Sequence, residues 1–352
     1  MANQTDQLNP HMRLDGVFEG GAVKGIALIG ALDVIEQAGY HFVNVAGASA
    51  GAIVATLIAA GYSASELKPI LMNLPFDKIT DATWVGSLPL VGGPINLLFH
   101  QGLYQGDYFE HLMRDLLRAK GKQTFGDFLL DPQQHPVDAH NPKYRFTCRM
   151  VASDISRGRM LILPDDVAAY GYDPTKLDVA RAVRMSMSIP LFFRPIKLAV
   201  RRKSSLSQEE GRRLKGWIVD GGLLSNFPVE LFDAPGIPEW PTFGFKLEVN
   251  ATTDVAKFTR HPVHGIVSLL EALFHTALEA HDAYYLKSAK FVRTIAIDTS
   301  GVNGTDFNLS ADQKNALYEA GQAAAREFLS HWDFARYVTE YRSDQAPSQP
   351  AT

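Results

Sequence analysis

The sequence predicts an α/β protein on an open, mostly parallel sheet, and three stretches carry that prediction. Leu14 to Phe18, then Glu19-Gly20-Gly21-Ala22-Val23-Lys24-Gly25 and an apolar run to Ala38, reads as strand, glycine turn and helix, stopped by Gly39. His41-Phe42-Val43-Asn44-Val45-Ala46, then Gly47-Ala48-Ser49-Ala50-Gly51 and an Ala/Ile/Leu run to Ala60, repeats that order. Trp217-Ile218-Val219 is a short strand ending in Asp220-Gly221-Gly222. Each turn falls at the C-terminal edge of a strand, where open α/β sheets bind their ligands.

Composition bounds the function. The chain has 352 residues, 46% hydrophobic and 20% charged, with a net charge of -4. That is globular composition with length enough for a large core, and it carries no overall nucleic-acid signature. The single cysteine, Cys148, excludes an internal disulfide and fits a reducing compartment. Its place in an apolar strand reads as a core residue rather than a reactive thiol. Met1 to Pro10 is polar, without the apolar segment of a secretory signal. Val43 to Tyr62 is the longest apolar region, but its helical part from Ala50 to Ala60 would be only about 16 Å long, at ~1.5 Å per residue. A membrane span needs roughly 20 apolar residues. The expectation is a cytoplasmic protein without a transmembrane segment, in contact with membranes at most peripherally.

The rest follows in order. Residues 1–12 read as a loose tail, 13–340 as one domain and 341–352 as a disordered end. Ser63-Ala64-Ser65-Glu66 is a capping box for a helix to about Leu74. Residues 83–106 are apolar but broken by glycine and proline; both a buried irregular connection and a lid that contacts acyl chains fit them. Asp107 is expected to cap a helix to Lys120, ended by Gly121. Strands follow near 144–152 and 158–163, joined across Ser156-Arg157-Gly158, and then a helix from Asp178 to Met187. The charged insertion 201–215 reads as a solvated loop, with a basic patch for anionic headgroups as the functional alternative. Thr242 to Val249 and Phe291 to Ile297 are strands. Val263 to Lys287 reads as a long helix with His264, His275 and His281, and Ser310 to Leu329 as an amphipathic helix.

The chemistry resides in the turns. The turn at 20–25 is not a nucleotide loop: Lys24 precedes a glycine and not Ser or Thr, and Ala22 fills the second required glycine of a dinucleotide fingerprint. What remains is a helix start with exposed backbone N–H groups, suited to a negative oxygen. Gly47-Ala48-Ser49-Ala50-Gly51 is a G-x-S-x-G elbow in its strand-to-helix setting, which lifts a serine hydroxyl off the sheet as a nucleophile. Asp220 supplies a candidate base. Nucleophile, base and backbone donors are the inventory for acyl transfer. A Ser-Asp-His triad fits poorly, because only two strands precede the elbow and the later histidines fall within a helix.

Glu19 to Gly25, Gly47 to Gly51 and Asp220-Gly221-Gly222, with Met185-Ser186-Met187-Ser188-Ile189-Pro190-Leu191-Phe192-Phe193 ahead of the last, resemble the patatin-like phospholipase family of bacterial type over roughly residues 14–250. The resemblance implies a three-layer α/β/α sandwich and a Ser-Asp dyad without histidine, metal or cofactor. Carried over, Ser49 is the nucleophile, Asp220 the base, and the N–H groups of Gly20, Gly21 and Ala22 the oxyanion hole. Gly47 and Gly51 shape the elbow, Gly221 and Gly222 complete the aspartate motif, and Lys24 braces the glycine loop. Two positions depart from the pattern: Ala22 replaces a third glycine, and Glu19 stands where an aspartate or small residue is common. The implied activity is hydrolysis of phospholipid or other acyl esters, as phospholipase A or carboxylesterase. The alternatives are acyl transfer to an acceptor other than water, and a latent or inactive lipid-binding protein that needs an activator.

Overall fold

The computed structural model describes residues 12–74, 102–104, 106–131, 145–199, 215–233, 236–248, 291–302 and 308–342, and two isolated helical positions, Ala272 and Thr276. The elements in chain order are β1 (Arg13–Phe18), α1 (Gly25–Gln37), β2 (His41–Ala48), α2 (Ala50–Ala59), α3 (Ala64–Met72), β3 (Gly102–Tyr104), α4 (Asp107–Ala119), β4 (Cys148–Asp154), β5 (Arg159–Leu163), α5 (Val179–Ser186), β6 (Leu191–Phe193), β7 (Ile196–Leu198), β8 (Gly216–Asp220), β9 (Thr242–Glu248), β10 (Thr294–Asp298), α6 (Ala311–His331) and α7 (Phe334–Tyr341).

Five strands, β10, β9, β1, β2 and β4, run parallel side by side, as the strand–turn–helix pattern predicts. β5 folds back antiparallel on β4, through a turn in which Gly158 takes a φ of 61°. The pairing of β4 then fixes the geometry of the site. Met150 faces Gly47 of β2 on one side and Leu163 of β5 on the other. Two residues on, Ala152 faces Asp220 of β8 on one side and Leu161 of β5 on the other. β2 and β8 therefore occupy the same flank of β4. They meet end to end, C-terminus towards C-terminus. β8 runs antiparallel to β4, so Asp220 does not share the strand direction that the sequence suggests for it.

Apolar residues alternate along the strands and separate the two faces of the sheet. Leu14, Phe18, Val45, Phe243 and Phe245 join the large core with the helices, while Val17 and Ala46 face a smaller cluster with Phe227, Val229 and Phe232. α1 is buried along nearly its whole length, and α6 lies across it. A Cβ at Gly30 would come within 1.9 Å of the Tyr318 carbonyl oxygen, and one at Gly321 within 1.9 Å of the Ala27 carbonyl oxygen. The two backbones touch there, which only glycine permits.

Local signals hold at several ends. Ser63 and Glu66 form the expected capping box on α3, Ser310 forms one with Gln313 on α6, and Asp178 caps α5. Asp107 does not cap α4. Gly106 takes the cap position with a φ of 74°, because a side chain there would collide with the buried Arg184 guanidinium. Asp107 instead sits in the first turn, where its charge still favours the helix dipole. Cys148 is fully buried, and burial pushes its thiol up to about 12, as fits a core residue. Among the described residues no helix is long and apolar enough to cross a membrane. Of 83–106, only β3 and Gly106 are described. The body of the charged insertion, residues 200–214, and His264, His275 and His281 lie outside the described residues.

Candidate active site

Ser49 sits at the junction of β2 and α2 with φ 51° and ψ −121°, a conformation that costs a non-glycine residue about 1–3 kcal/mol. The flanking glycines make the turn sterically possible. A Cβ on Gly47 would meet the Gly51 carbonyl carbon at 2.3 Å, and one on Gly51 would meet the Phe18 carbonyl oxygen at 2.1 Å. The elbow is thus wedged between its own strand and the end of β1.

The glycine turn after β1 lies directly beside it. A Cβ on Gly20 would stand 3.2 Å from Ser49 Cβ and 2.4 Å from Asn226 Oδ1. Asn226 holds Gly20 at both ends: its carbonyl accepts the Gly20 N–H at 3.1 Å, and its side-chain amide donates to the Gly20 carbonyl at 3.1 Å. The Gly20 N–H is therefore engaged, which corrects the expectation that it faces an oxyanion. The N–H groups of Gly21 and Ala22 make no hydrogen bond among the described residues. Glu19, buried behind the turn, accepts from the Leu247 backbone N–H and the Asn226 amide and pairs with Lys246 at 3.3 Å. These contacts hold the loop from behind. Lys24, at the end of the single 3-10 turn that follows, adds its backbone N–H to the Gly21 carbonyl.

Ala22 adopts a φ of 48°. The family's usual glycine would be unstrained there. Left-handed backbone costs an L-residue about 1–2 kcal/mol, more than the ~0.5–1 kcal/mol of extra backbone entropy that glycine loses on folding. Ala22→Gly is expected to raise stability by roughly 0.5–1 kcal/mol in denaturant titrations. A lower midpoint would show that packing of the Ala22 methyl outweighs the strain.

Asp220 is buried where β8 meets the end of β2. β2 ends at Ala48, opposite Val151, and Asp220 faces the next residue of β4, Ala152. Burial pushes the Asp220 carboxyl up to about 7, while the Ser49 hydroxyl and the Gly222 N–H pull it the other way. Oδ1 accepts the Gly222 N–H at 2.8 Å, whereas Oδ2 is buried with no hydrogen bond. Ser49 is thus close enough to favour the carboxylate, yet no well-aligned hydrogen bond joins the two. Catalytic hydrogen bonds of this kind often tighten when substrate binds. Gly221 packs so closely on β4 that a Cβ would fall 2.3 Å from the Val151 carbonyl oxygen. The structure thus brings together Ser49, Asp220 and the turn at 20–22. Sequence reasoning misses Asn226 and Lys246. Lys246 has a signal, a lone lysine within an apolar strand; Asn226 has none.

The α/β sheet thus carries a strained serine elbow after its second strand and a buried carboxylate at the end of a strand that runs the opposite way to β4. Residues 16–233 match the model of the patatin-like phospholipase family, and the chain belongs to that family. "Uncharacterized protein YqhO" of Bacillus subtilis (strain 168) is 39% identical over 324 residues, 92% of this chain and 100% of that one. "Probable lipid hydrolase 463L" of Invertebrate iridescent virus 6 is 23% identical over 219 residues, 61% of each chain. The crystal structure of VipD from Legionella pneumophila superposes with a TM-score of 0.52 at 17% identity, over 91% of this chain and 67% of that one, a likeness of fold.

Proposed function

We propose that this protein hydrolyses the acyl esters of lipids through a Ser49–Asp220 dyad and a covalent acyl-enzyme. The observation that carries the reading is the end-to-end meeting of β2 and β8, with Ser49 following the first strand and Asp220 closing the second. Family membership and the similarity to a probable lipid hydrolase support a lipid ester as substrate.

The chemistry runs as acyl transfer in two halves. Asp220 Oδ2 takes the Ser49 hydroxyl proton as Ser49 Oγ attacks the ester carbonyl carbon. The carbonyl oxygen becomes an oxyanion and is held by the N–H groups of Gly21 and Ala22; one such donor is worth about 3 kcal/mol in the transition state. The tetrahedral intermediate collapses, the ester C–O bond breaks, and Asp220 returns its proton to the leaving alkoxide. Water then attacks the acyl-enzyme, its proton passing to Asp220; the bond from Ser49 Oγ to the acyl carbon breaks, Asp220 returns the proton to Oγ, and the acid is released. A carboxyl near pKa 7 is matched to this shuttle, since it is basic enough to take a proton and acidic enough to return it.

The test compares wild type with Ser49→Ala on a short p-nitrophenyl ester and on phospholipid vesicles, with fluorophosphonate labelling alongside. Wild type should cleave both and label at Ser49, and the variant should lose roughly 10³-fold or more. Undiminished hydrolysis by a folded Ser49→Ala protein would end the reading. Free fatty acid as product marks a hydrolase; an acylated acceptor in its place marks an acyltransferase.

A further inference from the structure

The nucleophile and its acid are both hung from one short segment, the C-terminal turn of α5. Ser186, the last residue of that helix, is fully buried. Its Oγ accepts the Ser49 backbone N–H at 3.0 Å and donates to the Val151 carbonyl at 2.6 Å. The hydroxyl stands as a spacer between the elbow and β4, at the point where β2 leaves the sheet. Without it, the twist at Ser49 would leave a buried N–H and a buried carbonyl facing each other too far apart to bond. Two residues on, the Ser188 carbonyl accepts the Asp220 N–H at 2.9 Å. Ser188 is fixed in turn: its hydroxyl donates to the Arg184 carbonyl at 2.7 Å and accepts from Arg184 Nη1 at 2.6 Å.

We infer that Ser186 is a positioning residue for the reaction. Its hydroxyl holds Ser49 in its strained backbone conformation, and the 184–188 turn sets the distance from Ser49 to Asp220. Ser186 acts through Ser49 and does not touch substrate. It also accounts for the Ser49 N–H, so stabilisation of developing negative charge rests with the glycine turn. Two features distinguish this from ordinary packing. The bond from Ser186 is to the nucleophile's own amide, and Ser188, two residues on, bonds the amide of the proposed base. The two amides therefore keep their spacing only while the 184–188 turn keeps its shape, although neither residue is on α5.

The inference rests on the assignment of Ser49 as nucleophile, and the experiment separates the two. Ser186→Ala and Ser186→Thr are compared with wild type by ester kinetics, by the rate of fluorophosphonate labelling at Ser49, and by hydrogen exchange of the Ser49 amide. A misplacement of about 1 Å costs up to ~10²-fold in rate. Ser186→Ala should therefore lower kcat and the labelling rate together, by roughly tenfold or more, with KM within about threefold of wild type. The Ser49 amide should exchange faster in protein that remains folded. Ser186→Thr, which keeps the hydroxyl, should recover much of the labelling rate. Kinetics and labelling within about twofold of wild type, with unchanged exchange at Ser49, would overturn the inference. So would a loss that tracks only the fraction unfolded. Should wild-type Ser49 neither label nor turn over ester, the hydrolase reading falls; the exchange measurement still decides whether Ser186 holds the elbow.

Discussion

At about pH 8, Asp220→Asn is expected to lose ester hydrolysis by about 10³-fold or more and to resist denaturant better than wild type. The loss follows from the proposed role: an amide cannot take the Ser49 proton, and removing a general base costs about 10²–10⁴-fold. The gain follows from burial. The Asp220 carboxyl is pushed from 3.8 up to about 7, chiefly by desolvation. Between those values the folded protein binds a proton that the unfolded chain has released, so stability falls as pH rises through the window. At ~1.4 kcal/mol per unit, the shift corresponds to roughly 4 kcal/mol at full ionisation. The asparagine side chain cannot ionise, so the stability difference between variant and wild type should grow from about pH 4 to about pH 7 and then level off. In the wild type kcat/KM should rise with pH, with a midpoint near 7, because the base works as carboxylate. A flat profile from about pH 5.5 to about 8.5 would remove Asp220 from the role. The strain at Ser49 and the charge at Asp220 are both costs carried by the site, which is where stability is commonly given up for chemistry.

The parts of the site legible in the sequence are those that sterics encode locally. Gly47 and Gly51 are readable because a strand-to-helix elbow leaves no room for a Cβ, and the contacts at 2.3 Å and 2.1 Å show why. The strand order β1, β2, β4 follows from repeated strand–turn–helix units. What the sequence does not encode locally is direction and partnership. Trp217-Ile218-Val219 has the same composition whichever way it runs; only pairing with Ser153 and Asp154 makes β8 antiparallel and aims Asp220 at the end of β2. Ser186 lies 137 residues from Ser49, and in a Met-Ser-Met-Ser run nothing marks its hydroxyl as the one that meets the elbow. The Gly20 N–H reads as available because its acceptor, the Asn226 carbonyl, comes from a turn 206 residues away. The cap of α4, by contrast, misleads for a local reason: an aspartate before an apolar run resembles a cap, and the glycine ahead of it meets Arg184, which the local pattern does not show.

Glu19 departs from the family pattern, and its partner explains how the site tolerates it. It carries a negative charge one residue before the turn that is to hold an oxyanion, and it is almost completely buried. Lys246, also buried, pairs with it at 3.3 Å, so the two charges largely cancel at the turn. Lys246→Met removes this cation from beside the buried Glu19. Breaking a buried pair in this way costs about 3–5 kcal/mol, and the uncancelled charge opposes the developing oxyanion. We expect that single variant to lose about 3 kcal/mol of stability and to fall roughly tenfold or more in kcat, with KM little changed. Glu19→Gln with Lys246→Met restores neutrality while keeping an acceptor for the Leu247 N–H. That double variant should recover most of both losses, because replacing a whole buried pair is often near neutral. Stability and kcat measured for the single and double variants separate charge from shape. If the double variant regains stability but not kcat, Lys246 fixes the geometry of the turn; if it regains both, the lysine is there to cancel the glutamate.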